Sequence, residues 1–249
     1  MLFRSDKDPQ GLLIEGFEHP PLIASACNFP YLVKLVENEG YIKEVDCLVY
    51  KYHLENDVQE AYRRIVHRIL SKNEYKVIEF TSRKQIKPYI YRVLGLLNDT
   101  YGHIYGFVPL DQQEMDDFAN RYLPILDPRF IKLVEKNDQI VAFIIALPHM
   151  TKGIQRSKGH LFPFGIIHIL RAAKTTKQLD VMLGAVYPKL QGMGLDALMT
   201  IPLIDSAKKA GYKAMEFHLM LETNIAVLKE MERFKATQHK RFRVFQKNL

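Results

Sequence analysis

The 249-residue sequence contains no tryptophan and two cysteines, Cys27 and Cys47, which form no Cys-x-x-Cys pair. Two cysteines are too few for a disulfide framework, so we expect ordinary thiols in a reducing compartment and no bound metal. No apolar run reaches the ~18 residues of a membrane helix, and the N-terminus lacks the apolar core of a secretory signal. These absences predict a cytoplasmic protein with no membrane partner.

Positive charge is in excess, with a formal net charge of +7 and a pI of about 9.2. A basic balance favours acidic partners such as nucleotides, CoA phosphates or nucleic acid. The basic residues are spread along the chain, apart from Tyr62 to Arg68 and His239 to Arg243. The sequence has neither an RNA-binding strand motif nor zinc-finger spacing, so nucleic acid is the less favoured partner.

Short apolar runs alternate with helical patterns, which predicts a mixed α/β fold. Asp111 and Glu114 fit a helix-starting capping box, and Asn137-Asp138 fits the turn of a hairpin. The least regular stretch precedes the strand that begins near Leu179, and it contains a short helix pattern over Phe164 to Ala173. The apolar segment Leu161 to Leu170 either lines a substrate site or fills the core.

The segment Tyr187 to Leu198 follows a strand pattern, precedes a helix pattern and contains Gly192 and Gly194. A strand that turns directly into a helix points unpaired N–H groups and the positive end of the helix dipole at whatever lies before them. Two glycines remove side chains that would keep an anion away, and Lys189 adds a positive charge. The pattern indicates a phosphate site, with a plain tight turn as the alternative.

Lys189 to Gly194 resembles the pyrophosphate loop of the GNAT superfamily of acyl-CoA-dependent N-acyltransferases, which reads Gln/Arg-x-x-Gly-x-Gly/Ala. Lysine in the first position departs from that pattern but keeps a donor. The resemblance implies the GNAT fold, a central and mostly antiparallel twisted sheet flanked by helices, with acetyl-CoA or another acyl-CoA as substrate. The residues it assigns to CoA binding are Val186, Lys189, Leu190, Gln191, Gly192, Met193, Gly194 and Asn224.

Asn224 stands before a helix pattern, where the family has an asparagine, and a plain helix N-cap would explain it equally well. Seven residues later stands Met231, where the family often has a general-acid tyrosine, and a thioether cannot protonate a thiolate. Tyr187 and Tyr212 are alternative acids, although each also fits a structural role.

The resemblance also implies a general base on a central strand. Glu216 and His218 lie on the strand pattern that follows Gly211, and because alternate residues of a strand share a face, both would point the same way. A histidine with a pKa near ~6.5 suits proton abstraction from an ammonium group. The alternative is that both are surface residues of a half-exposed strand.

Residues 1–54 resemble the back half of another GNAT module, with Asn28, a helix, Gly40-Tyr41 and a closing strand. Residues 55–73 then form a connecting helix and residues 74–249 a complete module, an arrangement similar to the join in tandem-GNAT proteins of unknown substrate. No CoA loop precedes the half-module, so the chain is either a natural short form or part of a longer product. The strands of the half-module need a partner, because an open sheet edge is unfavourable. We expect that partner to come from the complete module or from the other subunit of a homodimer.

Three functions are compatible with these patterns. The first is an acyl-CoA-dependent N-acyltransferase in which an amine attacks the thioester directly and Glu216 or His218 accepts a proton. The second is a catalytically inactive GNAT-fold protein that binds CoA or a partner, which Met231 favours. The third is a basic nucleic-acid-binding module.

Overall fold

The structure is a computed structural model that describes residues 11–248, except positions 24, 57, 59, 103, 159, 161 and 163. In chain order its helices and strands are β1 (Leu12–Glu15), α1 (Pro30–Asn38), β2 (Ile42–His53), α2 (Glu60–Leu70), β3 (Lys76–Glu79), α3 (Arg83–Ile86), α4 (Ile90–Tyr101), α5 (Gln112–Tyr122), β4 (Ile131–Lys136), β5 (Gln139–Pro148), α6 (Thr151–Ser157), α7 (Gly165–Thr175), β6 (Gln178–Val186), α8 (Leu195–Lys209), β7 (Ala214–Leu221), α9 (Ile225–Arg233) and β8 (Thr237–Gln246).

Local sequence signals explain several of these boundaries. The Asp111 carboxylate accepts from the backbone N–H of Glu114 at 2.8 Å, and the Glu114 carboxylate accepts from that of Asp111 at 3.0 Å. Asn137 and Asp138 have φ angles of 48° and 59°, as the central residues of a tight hairpin turn require. The predicted capping box and hairpin are confirmed. The predicted short helix corresponds to α7, whereas the sequence patterns did not predict α6.

The chain divides into two compact units that interleave along the sequence. The first unit contains the described residues up to His53, those of Pro148–Asp180 and those from Ala214 onwards. Its strands are ordered β1-β8-β2-β7, and each neighbouring pair is antiparallel. The second unit contains Leu54–Leu147 and Val181–Lys213, and its strands are ordered β6-β5-β4-β3, with β5–β4 and β4–β3 antiparallel.

The strand β2 completes the first unit. It pairs with β7 along one edge and with β8 along the other, while β1 pairs with β8. The prediction that the N-terminal strands need a partner is therefore confirmed, and the complete predicted module supplies that partner. The assignment of residues 1–54 to a partial module, 55–73 to a connecting helix and 74–249 to a complete module stays a prediction.

Each unit has its own apolar core. In the second unit, α4 and α5 pack against β4 and β5, with Leu94, Leu97, Leu133 and Phe143 fully enclosed. In the first unit, a smaller cluster joins Leu13, Cys47, Val49 and Phe242 across β1, β2 and β8. Burial of this surface is the main stabilising contribution to both units.

The first unit also encloses a charge cluster around Asp46, whose side chain is completely buried. Arg243 donates two hydrogen bonds to this carboxylate, at 2.8 and 3.0 Å, and Arg241 donates one at 3.2 Å. Burial alone would raise the pKa of Asp46, but the guanidinium groups lower it to about 2. These charge-assisted bonds join β2 to β8 and use the basic residues near the end of the chain, which the sequence left open for a partner.

Candidate functional site

The loop between β6 and α8 has the backbone of an anion site. The strand ends at Val186, Pro188–Leu190 form a single turn of 3-10 helix, and Gly194 is the N-cap of α8. Gly192 and Gly194 have φ angles of 76° and 84°, in the left-handed region that favours glycine. The first N–H groups of α8 have no acceptors within the helix, so they are available to an anion beyond Gly194.

The two glycines serve different purposes. A Cβ atom at Gly192 would meet nothing within 4 Å, so this peptide is open to a ligand. A Cβ atom at Gly194 would lie 2.9 Å from side-chain carbons of Ile65 and Ile69, so a larger residue there would have to displace these side chains of α2. The exposed side chain of Lys189 adds positive charge, whereas Asp196, in the first turn of α8, adds negative charge that competes with an anion.

The other predicted CoA contacts in this loop are accessible to different degrees. The side chains of Gln191 and Met193 are exposed, and that of Leu190 is half-buried. The amide of Gln191 donates to the Val186 carbonyl at 3.3 Å, which closes the loop onto the strand end. These residues form one continuous segment, as the motif implies, and their role in binding CoA stays a prediction.

Asn224 is the N-cap of α9, where its side-chain oxygen accepts from the backbone N–H of Val227 at 3.4 Å. The N-cap role that the sequence suggested is confirmed. Asn28, the corresponding residue of the N-terminal segment, does not cap a helix. Its amide pairs with Leu13, accepting from the N–H at 2.7 Å and donating to the C=O at 3.1 Å.

Glu216 is the centre of a buried polar network in the first unit. Its carboxylate accepts from Lys240 Nζ at 2.7 Å and from Gln178 Nε2 at 2.9 Å, and His239 Nε2 lies 3.2 Å away. Burial alone would raise the pKa of Glu216, but His239 and Lys240 lower it to about 2. The carboxylate is therefore held ionised by fixed partners, and it is a weak base.

The same network contains a histidine–carboxylate pair that the sequence patterns did not predict. Nδ1 of His149, just after β5, lies 2.8 Å from a carboxylate oxygen of Asp180 on β6, and both side chains are buried. Gln178 donates to the other Asp180 oxygen at 3.0 Å, and its carbonyl accepts from the His149 N–H at 3.0 Å. Burial raises the pKa of Asp180, while the contact with His149 opposes that rise.

A signal for this pair was present in the sequence. Asp180 is a lone charged residue in an otherwise apolar strand pattern, and a buried carboxylate needs a hydrogen-bonding partner. A carboxylate bound to Nδ1 orients the imidazole, fixes its tautomer and stabilises the imidazolium, so Nε2 can act as a general base.

The remaining predicted acid–base residues are buried or half-buried. His218 is half-buried, with its ring 6.5 Å from that of Phe242, centroid to centroid. Met231 is buried on α9. Tyr212 is buried edge-on against Phe130, and Tyr187 packs on the core of the second unit. The structural roles anticipated for both tyrosines agree with these positions.

A small cavity of about 50 Å³ lies in the second unit between helices α4 and α5 and strands β4 and β5. Its walls are almost wholly apolar and include Phe80, Ile90, Phe118, Leu123 and Ile145.

The described residues of the apolar segment Leu161 to Leu170 are mostly exposed, so the core-filling alternative is wrong for them. Among its described residues, Phe162, Phe164, Ile167 and Leu170 are each more than half exposed. Leu161, where the predicted segment begins, lies outside the described residues. Within the described part of the chain, no helix combines the length and apolar character needed to cross a membrane, and no cluster of three side chains could hold a metal ion.

Two curated proteins match most of the chain. A protein named Bacterial ceramide synthase, from Caulobacter vibrioides (strain NA1000 / CB15N), is 28% identical over 245 residues, covering 96% of this chain and 63% of that protein. Protein YghO from Escherichia coli (strain K12) is 25% identical over 246 residues, covering 96% of this chain and 62% of that protein. The chain thus spans less than two thirds of the length of these relatives. No protein-family model matches it.

Solved structures establish the fold. A GCN5-related N-acetyltransferase from Sphaerobacter thermophilus superposes with a TM-score of 0.56 at 13% identity, covering 92% of this chain and 58% of that one. A tandem GNAT protein from the clavulanic acid biosynthesis pathway superposes with a TM-score of 0.53 at 9% identity, covering 91% of this chain and 61% of that one. The chain has the GNAT fold, and the predicted fold class is confirmed.

Proposed function

We propose that this chain, which has the GNAT fold, is an acyl-CoA-dependent N-acyltransferase that binds the CoA pyrophosphate at the loop from Lys189 to Gly194. The geometry of this loop is the observation that carries the proposal: an open glycine peptide, a second glycine at the helix N-cap and a lysine at the rim. Helix N-termini of this kind stabilise phosphate through N–H groups and the helix dipole.

In the proposed reaction, the amine nitrogen attacks the thioester carbonyl, a C–N bond forms and the C–S bond breaks, which releases CoA thiolate. Nε2 of His149 accepts the proton that the ammonium group must lose before attack, and Asp180 stabilises the resulting imidazolium. As the tetrahedral adduct collapses, the nitrogen loses a second proton, which goes to the thiolate, and the imidazolium releases the first proton to solvent. Glu216 acts through Gln178 as a positioning residue, because its carboxylate is already held ionised by His239 and Lys240.

His218 remains a second candidate base, since it lies on β7 two residues beyond Glu216. Substitution distinguishes the two histidines. If replacing His149 abolishes activity and replacing His218 does not, the result supports His149 as the general base. The reverse result assigns that role to His218.

The substrates we propose are a fatty acyl-CoA and a long-chain amine. Ceramide, the product in the name of the Caulobacter vibrioides relative, is an amide between a fatty acid and a long-chain amino alcohol. A longer chain on either substrate favours binding wherever it contacts apolar protein surface, because burying a methylene group stabilises binding by about 0.8 kcal/mol. Acetyl-CoA, the donor that the sequence favoured, is the acyl-CoA with the shortest chain in this series of donors.

Two measurements test the proposal. Calorimetry with CoA, acetyl-CoA and palmitoyl-CoA measures binding, and mass spectrometry of mixtures with short and long amines measures amide formation. We expect CoA to bind and amide yield to rise with chain length. Absence of CoA binding at millimolar concentration would refute the proposal, whereas binding without turnover would favour the catalytically inactive alternative.

A further inference from the structure

Helix α7 and the residues just before it present an apolar surface to solvent. Its members are between 43% and 78% exposed, although they are among the largest apolar side chains of the protein: Phe162, Phe164, Ile166, Ile167 and Leu170. On α7, positions 166, 167 and 170 share one helical face, and Phe162 and Phe164 lie just before its N-terminal end. We call these five residues the α7 apolar face. Contiguous exposed apolar residues on this scale mark an interaction site.

The opposite side of α7 is fixed to the rest of the first unit. A Cβ atom at Gly153 of α6 would lie 2.6 Å from the His168 carbonyl oxygen and from Ile169 Cα, so the two helix backbones are in close contact. Thr151, at the start of α6, donates to the Pro21 carbonyl at 2.6 Å. The α7 apolar face therefore points outward because α7 is fixed through its other side.

The segment that carries this face is basic. Residues 148–179 contain six lysines and arginines and no acidic residue. Of these, Lys152, Arg156 and Lys158 are exposed along α6, and Arg171 and Lys174 continue the exposed face of α7 towards its C-terminal end. The surface thus has an apolar end and a basic end, which suits a partner with an apolar interior beneath an anionic layer.

We propose that the α7 apolar face enters the interface of an anionic membrane and that the flanking lysines and arginines contact headgroup phosphates. A helix of this kind lies in the plane of the membrane surface, so it needs no membrane-spanning length. The absence of a long apolar run, from which the sequence analysis expected no membrane partner, does not bear on such binding. Positive charges near the surface add to the apolar contribution.

The absence of tryptophan permits a clean test. Phe164→Trp introduces a single indole at an exposed position of the α7 apolar face. We expect its emission to shift to the blue, and brominated lipid to quench it, when vesicles of phosphatidylcholine with phosphatidylglycerol are added. Phosphatidylcholine alone should give a much smaller response, and high salt should weaken binding to the anionic vesicles.

Vesicle sedimentation of the otherwise unchanged protein separates the two contributions. Ile167→Ser should lower the partition coefficient by about tenfold, since a buried isoleucine contributes at least about one tenfold step. Arg171→Gln should lower it by roughly fivefold on anionic vesicles only. Val108→Ser is the matched control, because Val108 is similarly exposed on the other unit and should partition like the unchanged protein.

Two results would overturn the proposal. One is an unchanged emission spectrum of Phe164→Trp on anionic vesicles at low salt. The other is an emission that is already blue-shifted without lipid in a protein that sediments as a dimer, because a second copy of the chain would then cover the face.

Discussion

Two connections join His149 to Asp180 at the start of β6, one direct and one through Gln178. Their side chains meet at 2.8 Å, and the His149 backbone N–H donates to the carbonyl of Gln178, whose own side chain donates to Asp180. His149 is therefore held by both its backbone N–H and its imidazole ring. A buried pair held in this way has one orientation available, which is what a general base requires.

Replacing this pair should lower catalysis without abolishing cofactor binding. We expect His149→Ala to reduce the kcat/KM of acyl transfer by about 10²- to 10⁴-fold, the usual contribution of a general base. Asp180→Asn should lower kcat and shift the acidic limb of its pH profile, because the imidazolium loses its stabilising carboxylate. CoA affinity, measured by calorimetry, should stay unchanged in both variants. An unchanged pH profile in His149→Ala would contradict the assignment.

The proposed pyrophosphate loop predicts a difference between two isosteric substitutions. Asn and Asp both tolerate positive φ, and a side chain at position 192 meets nothing within 4 Å, so both variants should fold. Gly192→Asp should bind CoA about tenfold or more weakly than Gly192→Asn, because its carboxylate repels phosphate at a cost of about 1.4 kcal/mol or more. Equal dissociation constants for the two variants, measured by calorimetry, would argue against the loop as the phosphate site.

The buried pair of Glu216 and Lys240 should make the free energy of unfolding fall at acidic pH. The folded-state pKa of Glu216, about 2, lies below its ordinary value of 4.5, so its contribution is complete above pH 4.5. That contribution is lost as pH falls towards about 2, and a shift of this size corresponds to stability on the order of 3 kcal/mol. Urea unfolding of the unchanged protein should show this loss.

Glu216→Gln should flatten this dependence and also lower stability at neutral pH by about 3–5 kcal/mol, because it leaves Lys240 charged and buried. The double variant with Lys240→Met removes the stranded charge and should recover most of that loss. If the single variant unfolds at the same urea concentration as the unchanged protein, the buried pair is not the source of the acid dependence.

Two helical glycines should respond in opposite ways to alanine. Gly153→Ala places a Cβ atom 2.6 Å from the backbone of α7 and should destabilise the protein by about 1–3 kcal/mol. At Gly95, in the interior of α4, the added Cβ atom meets nothing within 4 Å, so Gly95→Ala should stabilise by about 1 kcal/mol. Thermal unfolding measures both shifts, and a stabilised Gly153→Ala would show that α6 and α7 are not in close contact.

The sequence identified local features that depend on a few neighbouring residues. The capping box at Asp111, the turn at Asn137-Asp138 and the two glycines before α8 each specify a backbone conformation through nearby atoms. The loop motif also identified the GNAT fold, which the solved structures confirmed. Such signals can be recognised in the amino-acid sequence because the interactions that produce them span only a few residues.

Contacts between distant segments could not be read in this way. His149 and Asp180 are 31 positions apart, and Glu216 and Lys240 are 24 apart, so their pairing depends on strand order and register. A carboxylate that looks reactive in the sequence can be fully ion-paired in the fold, as Glu216 is, and an apolar segment that suits a core can face solvent, as Phe164 and Ile167 do. The sequence alone determined which local conformations form and to which fold they belong. Only the tertiary structure decided which polar groups are buried together, because burial and pairing depend on chain segments that no local pattern connects.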